Sequence, residues 1–208
     1  MNIDPVAAAI GFGVLLLSLT IHEAAHAWTA DRLGDPTARA LGRVSFNPLV
    51  HIDPAGTIVL PLIALVTGLP LIGWAKPVPV NIRNLPHPRR DFIFVAAAGP
   101  ISNLCQAVVA AGLMRLSGVD PYSGGGPLHF ALLMAVQVNL LLAFFNLIPV
   151  PPLDGGNVLA GLLPPRAAYE FARLRPYGFI VLYALMFTGA LSALVAPPAN
   201  FLMRLLLK

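Results

Sequence analysis

Long uncharged stretches alternate with short segments that carry arginines. Residues 6–21 are apolar, and a helix starting there continues through His22-Glu23-Ala24-Ala25-His26 to about residue 30. Residues 92–114 carry no charge. Residues 121–153 are also uncharged, with a helix expected over about 128–147. Residues 177–203 are uncharged and interrupted at Pro197–Pro198. A bilayer-spanning helix needs about 20 mostly apolar residues, so these four runs predict four spans. A fifth run, 55–75, is uncharged but broken by Gly56, Pro61, Gly68, Pro70 and Gly73. Such backbone is tolerated at membrane depth only where protein shields it. It predicts a re-entrant or membrane-embedded β/loop segment within about 43–90, with an ordinary fifth span as the alternative. The expected fold is therefore an all-α polytopic membrane protein of four to five transmembrane helices, in a single domain over 1–208.

Composition supports this. Hydrophobic residues make up 57% of the 208 and charged residues 11%, whereas soluble domains hold roughly 45–50% and 25%. Disorder, coiled coils and most soluble enzymes are excluded. The net charge is +4, and eleven of the 13 basic residues are Arg. A basic balance this sparse points to a membrane-face bias, not to nucleic acid. Ten basic residues, in the groups Arg32/Arg39/Arg43, Lys76/Arg83/Arg89/Arg90 and Arg166/Arg173/Arg175, fall where one face is expected. Only Arg115 falls in the opposite loop, beside Asp120. Positive loops stay cytoplasmic, so the N-terminus is expected outside and the first helix ends inside. Residues 43–90 then start and finish inside, which favours re-entry for 55–75. The first run lacks a basic leader and carries Asp4, so it reads as a span and not as a cleaved signal. A single cysteine, Cys105, allows no internal disulfide.

The strongest chemical signal is His22-Glu23-Ala24-Ala25-His26. Residues i and i+4 share a helix face, so the two imidazoles can bind one metal, and Glu23 beside them can take a proton from water. Each ionisable group in mid-membrane costs about 2.5–3.5 kcal/mol on insertion scales; packing alone would use Leu or Ala. A catalytic zinc usually has three protein ligands and an open position. Glu170 lies among Arg166, Arg173 and Arg175 and reads as a solvated helix face. Asp154 is the better third ligand, with Gly155–Gly156 permitting close backbone approach; its alternative role is the N-cap of a short helix over 155–163. Both the first helix and that over 128–147 run inward, which brings Asp154 to the histidines' face. Asn103, Gln137 and Asn139 read as bridges between helices, with substrate contact the alternative for Asn103. Asn146 can cap the broken helix end. His51, His87 and His129 stay off the ligand list, and Trp28, Trp74 and Tyr177 fit interfacial anchors.

The pair His-Glu-Ala-Ala-His and Phe145-Asn-Leu-Ile-Pro-Val-Pro-Pro-Leu-Asp-Gly-Gly156 resembles the site-2 protease family of intramembrane zinc metalloproteases. The stretches Asn47–Pro54, Gly73–Val80 and Ala98–Asn103 resemble its compact bacterial branch, and the likeness runs from about residue 12 to 165. It implies one Zn2+ held by His22, His26 and Asp154, with Glu23 as catalytic base and Asn146 near the substrate strand or oxyanion. It also implies a membrane-embedded edge strand, expected at 43–60 or 73–80, that receives an unwound transmembrane helix of a protein substrate. The setting implied is the cell membrane, with a lipid bilayer as partner, no nucleic acid, and the active site near the cytoplasmic face. No appended PDZ or CBS domain is expected in these 208 residues. Two rivals differ in class: a membrane metal-ion transporter using the same four residues, and a membrane protein with a structural zinc. Two Glu are too few for a di-iron bundle, and Tyr122-Ser123-Gly124-Gly125-Gly126 does not supply the element of a serine intramembrane protease.

Overall fold

The computed structural model describes residues 4–67, 73–118 and 126–208. The first helix, α1 (Pro5–Arg32), begins where the sequence provides a cap. The Asp4 carboxylate accepts the Val6 N–H at 2.9 Å, and Pro5 takes the first turn, where its missing donor has no partner to lose. Ser18, His22, His26 and Ala30 are buried along α1. Their spacing of four places a polar stripe on one face. Leu17 and Trp28 are exposed on the outside of the helix, where lipid is the natural solvent.

After α1 the chain turns through Gly34 into α2 (Thr37–Ala40). The fully buried Asp35 pins this corner. It accepts hydrogen bonds from Thr37 N–H at 3.2 Å, Asn81 N–H at 2.7 Å and Asn84 Nδ2 at 2.8 Å. Burial opposes ionisation, but the donors from Thr37, Asn84 and Asn81 outweigh it and hold the carboxyl below its usual range.

A wide-turn helical stretch, Pro54–Val59, passes into α3 (Leu60–Thr67). The apolar part, Pro54–Ala64, is only about 17 Å long, too short for a hydrocarbon core of about 30 Å. Trp74 N–H donates to the Gly56 carbonyl at 3.2 Å, and Thr57 Oγ1 donates to the Trp74 carbonyl at 2.9 Å. Residues 56 and 57 therefore lie against residue 74, a contact compatible with the re-entrant reading; residues 68–72 lie outside the described residues. The expected β component is corrected: no strand occurs among the described residues. Residues 73–80 are extended, but Pro77 and Pro79 have no N–H to build a ladder.

Helix α4 (Pro88–Leu116) lies at the centre, packed against α1, α5 (Pro127–Asn146) and α6 (Asp154–Leu162). Ala107, Ala110 and Ala111 of α4 meet Val136 and Leu140 of α5. Small side chains let helix backbones approach closely where lipid offers no hydrophobic drive. The chain continues through α7 (Pro165–Ala172), α8 (Gly178–Phe187) and α9 (Ala190–Leu206). Helices α1, α4 and α5 are long and apolar enough to cross a membrane. The pair 165–187 and 190–206, bent by 76°, makes a fourth span if counted as one. The protein is thus a multi-pass membrane protein with three or four spans, where the sequence suggested four to five. The break in the last run falls at Gly189, whose φ of 77° suits glycine, and not at Pro197–Pro198. Helix α9 runs through both prolines. The carbonyls one turn back, on Ala193 and Leu194, belong to exposed residues. Asp120 and the loop 122–125 lie outside the described residues.

Candidate metal centre

His22 sits ten residues before the end of α1 at Arg32, about 15 Å of helix, and His26 one turn later. The third member arrives from the proline-rich turn after α5. Helix α6 begins at Asp154 itself, with Leu153 as the capping residue. The Asp154 side chain is therefore not spent as an N-cap and turns to α1. Its Oδ2 lies 3.2 Å from His22 Nε2 and 3.4 Å from His26 Nε2, and the two Nε2 atoms are 3.0 Å apart. The glycines after it serve the close approach that the sequence suggested. A Cβ on Gly155 would stand 2.2 Å from the Leu147 carbonyl oxygen, and one on Gly156 2.7 Å from Pro151 N.

The hydrogen-bond network decides the tautomers. His26 Nδ1 is 2.7 Å from the Val95 carbonyl oxygen, which can only accept. Asn139 Nδ2 donates to the Ala135 carbonyl at 2.9 Å and to Ser18 Oγ at 2.9 Å, which turns Asn139 Oδ1 to face Asn103. Asn103 Nδ2 donates to that oxygen at 2.7 Å. Its own Oδ1 is left 2.6 Å from His22 Nδ1, so that nitrogen also donates. Both rings carry their hydrogen on Nδ1, and both Nε2 lone pairs face Asp154 Oδ2. Oxygen or carboxylate partners of this kind fix the orientation of metal-binding imidazoles.

Three lone-pair atoms crowded together, without a proton between them, repel one another. Asp154 Oδ2 is buried and has no hydrogen-bond partner, a costly state for a charged oxygen. The three ligand atoms lie within 4.8 Å of one another. One cation at their common centre removes both problems, and two imidazole nitrogens with one carboxylate suit zinc with a further position left for water.

Glu23 is half-buried beside this group, and its Oε2 accepts the Val78 N–H at 3.1 Å. Asn103 and Asn139 bridge α4, α5 and α1, as expected of them; Gln137 is exposed. Asn146 donates from Nδ2 to the Leu142 carbonyl of its own helix at 3.0 Å and has no hydrogen bond to the three ligand atoms. His51 is buried with Nε2 2.9 Å from the Ser45 carbonyl oxygen, outside the cluster. Glu170 pairs with Arg173 at 3.0 Å on the surface.

Several contributors carry little mark in the sequence. Gly99 of α4 faces both imidazoles: a Cβ there would lie 2.4 Å from His26 Nε2 and 2.5 Å from His22 Nε2. Beyond its place in the family-like stretch 98–103, its trace is a glycine inside an apolar helix, a placement that costs about 1 kcal/mol against Ala. Arg43, expected as a loop charge, is buried, and its Nη2 donates to the Lys76 carbonyl at 2.5 Å and to that of Pro77 at 3.3 Å. Trp74, expected as an interfacial anchor, lies over Gly56, where a Cβ would come within 2.5 Å of the indole.

A His-His-carboxylate donor set held between apolar helices, with a glutamate next to the first histidine, is the donor set of a zinc-hydrolase type of centre. Comparison with known proteins agrees. The model of Peptidase family M50 matches residues 123–189, the part that carries Asp154. The chain is 40% identical over 192 residues to the Bacillus subtilis protein named "Putative zinc metalloprotease YwhC", covering 89% of this chain and 84% of that one. It is 34% identical over 178 residues to the Mycolicibacterium smegmatis protein named "Putative zinc metalloprotease Rip2", covering 85% of this chain and 66% of that one. No solved structure matches. The chain belongs to peptidase family M50, the site-2 protease family, and is a zinc metalloprotease.

Proposed function

We propose that this protein hydrolyses a peptide bond within or near a transmembrane segment of another membrane protein, with His22, His26 and Asp154 as the zinc ligands and Glu23 as general base. The observation that carries the reading is the buried, unpartnered Asp154 Oδ2 facing two imidazole nitrogens whose other nitrogens are already committed. Zinc, when bound, supplies Lewis acidity towards a carbonyl and towards water. Glu23 accepts the proton that water gives up and passes it to the leaving amine nitrogen. Val95 and Asn103 keep the imidazoles in the tautomer that leaves Nε2 free. A helical substrate hides its amides in its own hydrogen bonds, so it must unwind before its carbonyl reaches the site. Asn146, which ends α5, is assigned to the unwound substrate chain or the oxyanion on the family resemblance.

The site lies towards the end of α1 that carries Arg32, which the charge pattern assigns to the cytoplasmic face of the cell membrane, with the N-terminus outside. Modification from outside of a cysteine placed at position 83 would contradict that orientation. The function is tested by purifying wild type and Glu23→Gln and measuring bound zinc and cleavage of a model single-span protein. The expected result is zinc in both and cleavage in wild type alone. Cleavage surviving in the variant removes Glu23 from its role. Zinc flux without cleavage by wild type in sealed vesicles makes the protein a transporter.

A further inference from the structure

The strap 73–80 has no regular secondary structure, and three of its N–H groups are bound by other parts of the chain. Trp74 N–H meets the Gly56 carbonyl at 3.2 Å and Lys76 N–H meets the His51 carbonyl at 2.9 Å. The Val78 N–H meets the Glu23 carboxylate at 3.1 Å in place of a carbonyl. Pro77 and Pro79 on either side have no N–H at all. Across 77–79 the strap therefore offers one donor, and that donor is aimed at Glu23. At 77 and 79 the strap has no main-chain donor to offer a substrate strand.

We infer that the backbone N–H of Val78 is a positioning group that holds the Glu23 carboxylate beside the metal centre; this rests on the reading of Glu23 as the proton carrier. Glutamate has three side-chain torsions, and a backbone donor to one carboxylate oxygen removes much of that freedom. The donor is itself fixed from both sides. Before it, Thr57 Oγ1 and the Arg43 guanidinium hold the Trp74, Lys76 and Pro77 carbonyls, and the Trp74 indole lies against Gly56. After it, Asn81 N–H is bound by the buried Asp35 at 2.7 Å. The buried Arg43 and Asp35 thus locate the strap, and the strap locates Glu23.

The test removes one hydrogen. In the full-length protein, Val78 is replaced by its α-hydroxy analogue, which turns the amide into an ester and keeps the side chain. Val78→Ala keeps the donor, Val78→Pro deletes it, and Glu23→Gln is run beside them. Zinc content, kcat and KM are measured on a model single-span substrate. Expected are wild-type zinc and KM for the ester, with kcat down ten- to hundredfold, the order that follows from misplacing a reacting group by about 1 Å. Val78→Ala stays within about twofold of wild type, and Val78→Pro follows the ester if it folds. An ester with wild-type kcat, beside an inactive Glu23→Gln, overturns the positioning role alone. So does a loss confined to zinc content or KM. Cleavage by Glu23→Gln overturns the base assignment and this inference with it.

Discussion

Replacing Gly99 by Ala adds one methyl group where the metal centre has no room. In an ordinary helix interior this change stabilises by about 1 kcal/mol, so helix propensity alone predicts a benign variant. Here the added carbon would stand 2.4 Å from His26 Nε2 and 2.5 Å from both His22 Cε1 and Nε2. Ordinary contact begins at about 3.4 Å, so either the two imidazoles retreat by about 1 Å or α4 moves away from α1. Retreat of α4 is resisted by the ring contacts it makes itself: Val95 and Asn103 sit on the same helix and hold His26 and His22 through Nδ1. Zinc ligands must stay within about 0.2 Å of their preferred distances, and a shift five times larger breaks the set. Gly99→Ala should therefore lose zinc affinity by at least a hundredfold, with cleavage lost in parallel, while the helical content stays that of wild type. Affinity is measured by competition with a chromophoric chelator on purified protein. Zinc binding within threefold of wild type would refute the reasoning, because it would place the ligand atoms somewhere other than against Gly99.

Asn103→Leu removes the acceptor of His22 Nδ1 and strands the Asn139 oxygen. Loss of such a partner typically weakens metal binding by 10–100-fold, and an unchanged Kd in the same chelator competition would contradict the tautomer assignment. Asp35 makes the corner after α1 sensitive to acid. Its folded pKa lies below the ordinary value of about 3.9, so its contribution is present above that value and is lost as pH falls through the lowered one. Thermal unfolding in detergent should show wild type losing stability below about pH 4, and Asp35→Asn should be flatter there and weaker at neutral pH. The neutral-pH deficit should be on the order of 1–3 kcal/mol, the cost of disturbing buried hydrogen-bonding groups. Equal acid sensitivity in the two proteins would show that Asp35 does not carry the effect.

The centre was legible in the sequence where the chemistry is local or costly. His22 and His26 share a helix face by spacing alone, and charge in an apolar helix demands a reason. Asp154 was legible because no other acid follows Asp120 until Glu170. Its competing role as a cap was settled only by the helix starting one residue earlier than expected. The return of 55–75 is an expectation from loop charge, and the contact of residue 74 with 56 and 57 is compatible with it. What stayed hidden depends on three-dimensional approach. Gly99 and Gly56 look like any membrane glycine until the imidazoles and the Trp74 ring are placed against them. Arg43 counts as a loop charge until its guanidinium is seen under the strap. The bend at Gly189 went to Pro197–Pro198 in the sequence because proline signals a break by type, whereas glycine signals one only through the φ it adopts. No β-strand could be excluded by pattern for 73–80, since alternating Pro and Val reads as extended chain with or without a partner.

The central claim is that two imidazole nitrogens and one carboxylate oxygen share a single zinc ion inside the membrane. X-ray absorption at the zinc edge of the purified protein measures that shell directly. The account predicts one zinc per chain with a nitrogen/oxygen shell at about 2.0–2.2 Å, two imidazole scattering patterns, and one fewer after His26→Ala. A sulfur shell at about 2.3 Å, or a spectrum unchanged when Asp154 and His26 are replaced, would contradict it.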